Sequence, residues 1–307
     1  MYSILTRFLL LGLRPFSAVL ASQSTAKIIA SRDGTSIYAD ATGNPAKQSI
    51  VFVHGLALSG IVFDNFFAND RLRENYYLVR YDARGHGRSG KPSDAEAYAS
   101  VHYAEDFLAV AHAFRLNKPV FVGWSLGSAI ISDIVEHINP LPILGAVTFA
   151  GSPVLGPEIL PKLISPSIND VLSAIFQDSN VTACMEGRIQ FIDACFRDAT
   201  QVPFDLKATY LGQTVVQPPT VALLSLQRTQ DPTRLFAAGQ AGTLRLQQIF
   251  GDADRIANNS AAVEFVKPHF NFLTVDTIPA GHAMFEDSPE RTVDALTRFI
   301  RSLPRKR

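Results

Sequence analysis

A serine stands between two glycines in Val120-Phe121-Val122-Gly123-Trp124-Ser125-Leu126-Gly127-Ser128, where a continuous apolar run gives way to a helix-length segment. Small residues on either side let the backbone turn sharply there and hold the hydroxyl clear of its neighbours. The start of the following helix presents unsatisfied N–H groups that can hold a developing negative charge. A packing serine needs neither feature, so Ser125 reads as a nucleophile. A hydroxyl is a poor nucleophile unless a base takes its proton. The chain has seven histidines. His102, His112 and His137 fall in helical stretches and His269 lies beside a proline, which suits surface or core roles. His54 lies inside a turn, which suits a scaffold. His282, in Ile278-Pro279-Ala280-Gly281-His282, ends the last strand pattern, and open parallel sheets place their sites at such strand ends. It is the candidate base. Either Asp252 or Asp254 in Phe250-Gly251-Asp252-Ala253-Asp254 can orient it, with helix capping or turn formation as the ordinary alternative for each. The N–H of Leu126 follows the nucleophile directly and is one candidate oxyanion donor. The N–H of Leu56, after His54-Gly55, is the other. Gly55 lets the backbone pass close to the reacting centre. Gly55 and Trp124 are the candidate substrate-pocket residues, with core packing as the alternative for Trp124.

These residues need a sheet to hold them. Lys27 to Ala30 and Ser36 to Ala39 read as a hairpin turned by Asp33-Gly34. The runs "SIVFVHG", "YYLVRYD", "PVFVGWS" and "ILGAVTFAGSP" follow. Continuous apolar runs without polar alternation are how strands covered on both faces read. Between them lie helical patterns at Leu126 to His137 and at Val101 to Phe114, the latter with Val101, Ala104, Leu108, Ala111 and Ala113 near one stripe. Such alternation predicts an α/β fold with a mostly parallel central sheet and helices on both faces. From Val154 to about Gly242 the pattern changes to helix-length segments separated by Pro, Gly or Asp, beginning with "LGPEILPKLISPSINDVLSAIF". This reads as a helical insert that covers the site. Strand patterns resume at "TLRLQQIFGDAD" and "FLTVDTIPAGH", and a helix from Pro289 to Ser302 closes the domain. The predicted organisation is a leader or terminal helix at 1–25, core at 26–153, helical cap at 154–242 and core again at 243–307.

Composition narrows the function classes. The chain has 307 residues, long enough for one large core with an inserted subdomain, and 28 basic against 28 acidic residues. With no basic block in its interior, nucleic acid is not an expected partner. The first residues contain Arg7, Arg14 and Lys27 but no acid before Asp33. Three readings stand for them: a mitochondrial presequence, a secretory signal, or a terminal helix packing on the domain or on a membrane surface. Cys184 and Cys195 are eleven apart. In one continuous helix that spacing is roughly 16 Å, whereas a disulfide needs Cα atoms about 4.4 to 6.8 Å apart. Either the helix breaks near Gly187 or the cysteines are free. No metal-ligand spacing and no Gly-rich phosphate loop is visible, so no cofactor is called for.

The ordered set "VFVHG", "YDARGHGRSG", "VGWSLGSAI", "GDAD" and "GHAMFEDSPE" resembles the alpha/beta-hydrolase fold family, in its subgroup with a helical cap, over roughly Ala26 to Leu303. That resemblance implies Ser125 as nucleophile, His282 as base and Asp254, three residues after Gly251, as acid. Where many members carry a proline four residues after the acid, this chain has Asn258. "HGLALSG" also lacks the three-glycine run of one lipase group, which points to an ordinary two-donor hole. Relatives that open epoxides or haloalkanes have a carboxylate at the elbow, so a serine there implies acyl chemistry on a small to medium hydrophobic ester, thioester or lactone. The same triad can also serve perhydrolysis, acyl transfer, carbon–carbon hydrolysis or a lyase reaction, and the "GWSLG" and "GDAD" context resembles the cofactor-free haloperoxidases. A ligand receptor on a retained scaffold is the reading from a different class.

Overall fold

The computed structural model describes residues 25–304. The leader and its targeting and membrane readings lie outside the described residues, apart from Thr25. Eight strands form one sheet: β1 (Thr25–Ala30), β2 (Ser36–Gly43), β3 (Ser49–Val53), β4 (Tyr77–Tyr81), β5 (Val120–Trp124), β6 (Gly145–Phe149), β7 (Leu246–Gly251) and β8 (Leu273–Ile278). Their spatial order is β1-β2-β4-β3-β5-β6-β7-β8. Only β2 runs against the rest, pairing antiparallel with β1 and β4, while β4, β3, β5, β6, β7 and β8 are parallel. The hairpin at its edge turns through Gly34 at φ 86°, with the Asp33 carboxylate accepting from the Thr35 N–H.

The apolar runs form central strands because helices cover both faces. Side chains alternate across the sheet, so Ile50 and Phe52 of β3 enter one core while Val51 and Val53 enter the other. In β5, Val120, Val122 and Trp124 face the first core and Phe121 the second. The first holds an aromatic cluster in which Phe285 meets Phe63, Phe66, Trp124 and Phe149. Helix Pro289–Ser302 seals it with Val293, Leu296, Phe299 and Ile300. The second core packs helices Ser100–Ala113 and Ile130–His137 on the sheet. The buried stripe of Ser100–Ala113 differs from the expected one: Tyr103, Phe107 and Val110 carry it beside Ala104 and Ala111, and Val101, Leu108 and Ala113 are half-exposed. The two rings and the valine offer more apolar area than the expected set, and they fix the rotation of the helix.

Between β6 and β7 lie helices Asn169–Ile175, Val181–Cys195, Phe204–Val215 and Pro219–Leu226. The first helix-length segment of the insert is broken rather than continuous. Leu160–Leu163 makes one turn, Pro166 starts another, and a helix proper begins only at Asn169. A ring at Pro166 cannot continue the preceding helix. The far boundary also moves. Helix Thr233–Gln240, inside the expected 154–242 cap, buries Leu235 in the second core beside Ile134 and Leu244, so it belongs with the sheet. Val181–Cys195 runs unbroken through Gly187, and both cysteines are free. At Gly187 the bare Cα lets helix Asn169–Ile175 pack close, because an added Cβ would stand 2.7 Å from that of Ala174. Among the described residues no helix is long and apolar enough to cross a membrane.

Candidate active site

The loops at the carboxyl ends of β3, β5, β6, β7 and β8 meet under the insert. Ser125 occupies the left-handed region at φ 53°, a conformation that costs a non-glycine residue energy and persists only where the surroundings enforce it. Three glycines enforce it. A Cβ on Gly123 would stand 2.4 Å from the Gly127 carbonyl oxygen, one on Gly127 2.5 Å from the His54 carbonyl oxygen, and one on Gly151 2.6 Å from the Ser125 carbonyl oxygen. The turn then continues as a tight 3₁₀ segment, Ser125–Ala129, before the α-helix starts at Ile130, later than the sequence pattern suggests. Ser128 locks the segment by donating to the Gly123 carbonyl at 2.8 Å.

His282 and Asp254 are both buried, and Nδ1 of the ring lies 2.9 and 3.1 Å from the two carboxylate oxygens. Asp254 also accepts from the N–H groups of Ile256 and Ala257 and from the Asn259 amide. Burial alone would raise its pKa. The neighbouring His282 and the hydrogen bonds it receives outweigh that and lower it, so it stays a carboxylate. An Nδ1–H donated to a carboxylate leaves Nε2 as the acceptor. That Nε2 is buried with no hydrogen-bond partner among the described residues, and His282 and Ser125 line the same cavity. Asp252, the other candidate acid, is engaged elsewhere: it accepts from the Ala280 N–H and pairs with Arg197, its side chain 44% exposed.

Leu56 and Leu126 both line the cavity beside Ser125. The loop carrying Leu56 passes close because Gly55 lacks a side chain; a Cβ there would stand 2.9 Å from that of Ser125. Ala57, at φ 62°, bends the same loop. Gly55 and Trp124 do not line the cavity. Trp124 is buried, donates from Nε1 to the His282 carbonyl at 3.0 Å and rests its ring 5.4 Å from the imidazole. It positions the histidine instead of walling a pocket, because β5 turns it into the first core. His54 is scaffold. Its Nδ1–H donates to the Gly55 carbonyl, its Nε2 accepts from the Ala83 N–H, and burial lowers its pKa. Asp82 and His86 likewise build the neighbouring loop. Asp82 accepts from the Gly60 and Arg88 N–H groups, and burial and then the nearby His54 hold His86 down to about 3.

The cavity is small, about 90 Å³. Leu160, Leu163, Ile164, Leu172, Phe191 and Leu226 of the insert close it. Several ties that hold the insert down have no local sequence signal, since their partners lie far apart in the chain. The Leu163 carbonyl accepts from the Asn258 N–H and the Ile256 carbonyl from the Ser165 N–H, the Ser59 N–H and hydroxyl donate to the Gln213 side-chain Oε1, and Tyr210 donates to Glu286. Among the described residues no group of three or more His, Cys, Asp or Glu is placed to hold a metal ion.

A family model described as the alpha/beta hydrolase family matches residues 50–295. A solved structure of a putative aryl esterase from Burkholderia cenocepacia superposes with a TM-score of 0.81 at 26% identity, covering 90% of this chain and 98% of that one. A non-heme chloroperoxidase of Streptomyces lividans is 32% identical over 155 residues, 48% of this chain and 54% of that protein. A probable oxidoreductase of Mycobacterium bovis is 37% identical over 102 residues, 33% of this chain, and the match spans only 17% of that longer protein.

Proposed function

This chain belongs to the alpha/beta hydrolase family and is an enzyme of that family, and from that premise we propose that it is a serine hydrolase of small carboxylic esters working through an acyl-enzyme. The observation that carries the reading is the pairing of His282 Nδ1 with Asp254, which leaves Nε2 unpartnered in the wall that also holds Ser125. In this scheme Ser125 Oγ attacks the ester carbonyl while its proton passes to His282 Nε2. The oxyanion is held by the N–H groups of Leu56 and Leu126. As the intermediate collapses, the C–O bond to the alcohol breaks and the alcohol leaves with the proton from His282. Water, deprotonated by the same nitrogen, then attacks the acyl carbon and releases the acid. A cavity of about 90 Å³ suits short acyl groups, and its walls are mostly apolar, with Ser152 the polar side chain besides Ser125 and His282 among the described lining residues.

A p-nitrophenyl ester series on the native protein and on Ser125→Ala tests this. Turnover greatest for short acyl chains and at least about 10³-fold lower in the variant is expected. No turnover from folded native protein across the series would sink the ester reading and favour a non-catalytic receptor. Similarity to the Streptomyces chloroperoxidase supports a second reading, in which hydrogen peroxide replaces water at the acyl carbon and releases a peracid. Peracid formation from acetate and peroxide, lost in Ser125→Ala, distinguishes it.

A further inference from the structure

At the opposite end of the sheet, the amino ends of the parallel strands surround a second and larger cavity of about 690 Å³. Ser49 and Tyr77 begin β3 and β4, Lys118 precedes β5 by two residues, and Leu144 immediately precedes β6; all four line it. Ser125 lies at the other end of β5, five residues away, roughly 16 Å at about 3.3 Å per residue. The two cavities share no lining residue.

Among the described residues Lys47, Arg115, Lys118 and Arg301, all exposed at its rim, line this cavity, and no carboxylate does. Composition does not explain it, because the chain carries 28 residues of each sign. None of the four is held in an ion pair among the described residues, whereas many other arginines are. A second observation concerns the loop between helix Ser100–Ala113 and β5. Arg115 at φ 54° and Lys118 at φ 47° both sit in the left-handed region, where glycine or asparagine fits at less cost; at Arg115 the conformation ends the helix, the Leu116 N–H bonding back to the Ala111 carbonyl, whereas Lys118 has no such helix-ending role. Two strained positions in one short loop are both occupied by cations that line the same opening. Elsewhere among the described residues left-handed non-glycine backbone occurs at Ala57, Ser125 and Ala150, beside the active site.

We propose that this cavity is a binding site for a phosphate-bearing molecule, separate from the hydrolytic site. Four cations without an ion pair among the described residues suit a multiply charged anion better than a single carboxylate, and a phosphate monoester carries about −1.5 to −2 near pH 7. The two guanidinium groups can donate in pairs to phosphate oxygens. The volume lies in the range of about 300 to 1,000 Å³ typical of small-molecule sites, so the ligand is a phosphorylated molecule larger than the bare ion. Such a group comes either from a soluble phosphate ester or from the headgroup of an acidic phospholipid.

The test uses the full chain. Glycerol 3-phosphate is titrated calorimetrically, and cosedimentation is measured with phosphatidylglycerol and with phosphatidylcholine vesicles. The proteins compared are native, a quadruple variant (Lys47→Gln, Arg115→Asn, Lys118→Asn, Arg301→Gln) and a control that removes four exposed cations elsewhere (Arg32→Gln, Lys162→Gln, Lys267→Gln, Arg291→Gln). Saturable binding weakened at least tenfold in the quadruple variant and unchanged in the control supports the site. Calorimetric binding identifies a soluble ester, and binding to phosphatidylglycerol vesicles alone identifies a lipid headgroup. Absence of binding to either, or equal weakening in both variants, overturns the proposal. Should the quadruple variant fail to fold, Arg115→Asn and Lys118→Asn singly carry the test, since asparagine suits the backbone at both positions. Ligand binding untouched by both would also overturn it. Ester turnover is expected to be the same in all these proteins.

Discussion

The two aspartates after β7 differ by two residues in sequence and entirely in surroundings. Asp254 is buried against His282 and two backbone N–H groups, whereas Asp252 is half-exposed beside Arg197. On the proposed mechanism, Asp254→Asn removes the carboxylate that holds the ring with Nε2 free. Its kcat for a short p-nitrophenyl ester is expected to fall about 10⁴-fold, with KM little changed. Asp252→Asn is expected to stay within about threefold of native, because a half-exposed ion pair is worth little. Equal losses in the two variants would remove Asp254 from its proposed role. Asp254 could be named from its distance to Gly251 by resemblance, but the residues alone left two acids. Arg197 decides between them, and it lies 55 positions upstream.

At the scale of elements, Glu286 joins three pieces of chain. It follows the His282 loop, accepts from Tyr210 of insert helix Phe204–Val215, and accepts from Asn65 beyond β3. Burial raises its pKa to about 7, and the nearby Asp287 and Asp64 add to the rise while the two hydrogen bonds oppose it. A carboxyl raised from 4.5 to about 7 binds a proton in the folded protein that the unfolded chain releases. Its contribution to stability is therefore complete below pH 4.5 and is lost as pH climbs through 7. Native Tm is expected to fall between pH 5 and pH 8 relative to Glu286→Gln, whose side chain does not ionise. Parallel melting curves across that range would contradict this. The bond to Tyr210 also ties the insert to the loop of His282, so the same pH range bears on how firmly the cavity is closed.

For the whole molecule, the insert returns to the core through Arg228. Its guanidinium donates to Asp133 at 3.1 Å and lies 4.0 Å from the centre of the Tyr103 ring, while Ser100 and Gln230 occupy the other carboxylate oxygen. Arg228→Met leaves the Asp133 charge buried without its ion partner, and breaking such a pair costs about 3 to 5 kcal/mol. Urea unfolding followed by circular dichroism measures it; a loss below about 1 kcal/mol would mean that Asp133 is neutral or hydrated in the fold. The sequence by itself determined the sheet and the Ser125 turn. A doubly covered strand must be apolar at every position, and a strand–turn–helix with glycines on both sides of a serine lies within nine residues. The position of His282 after the last strand followed from the same order of elements. Tertiary structure alone decided the rest. It engaged Asp252 with Arg197, turned Trp124 inward beneath His282, broke the first insert segment, returned helix Thr233–Gln240 to the sheet, and gathered four distant cations around the amino ends of the strands. Those outcomes depend on partners tens to hundreds of residues apart, whose pairing leaves no period or motif in the chain. They are settled only when burial makes an unpaired charge or an unfilled space costly.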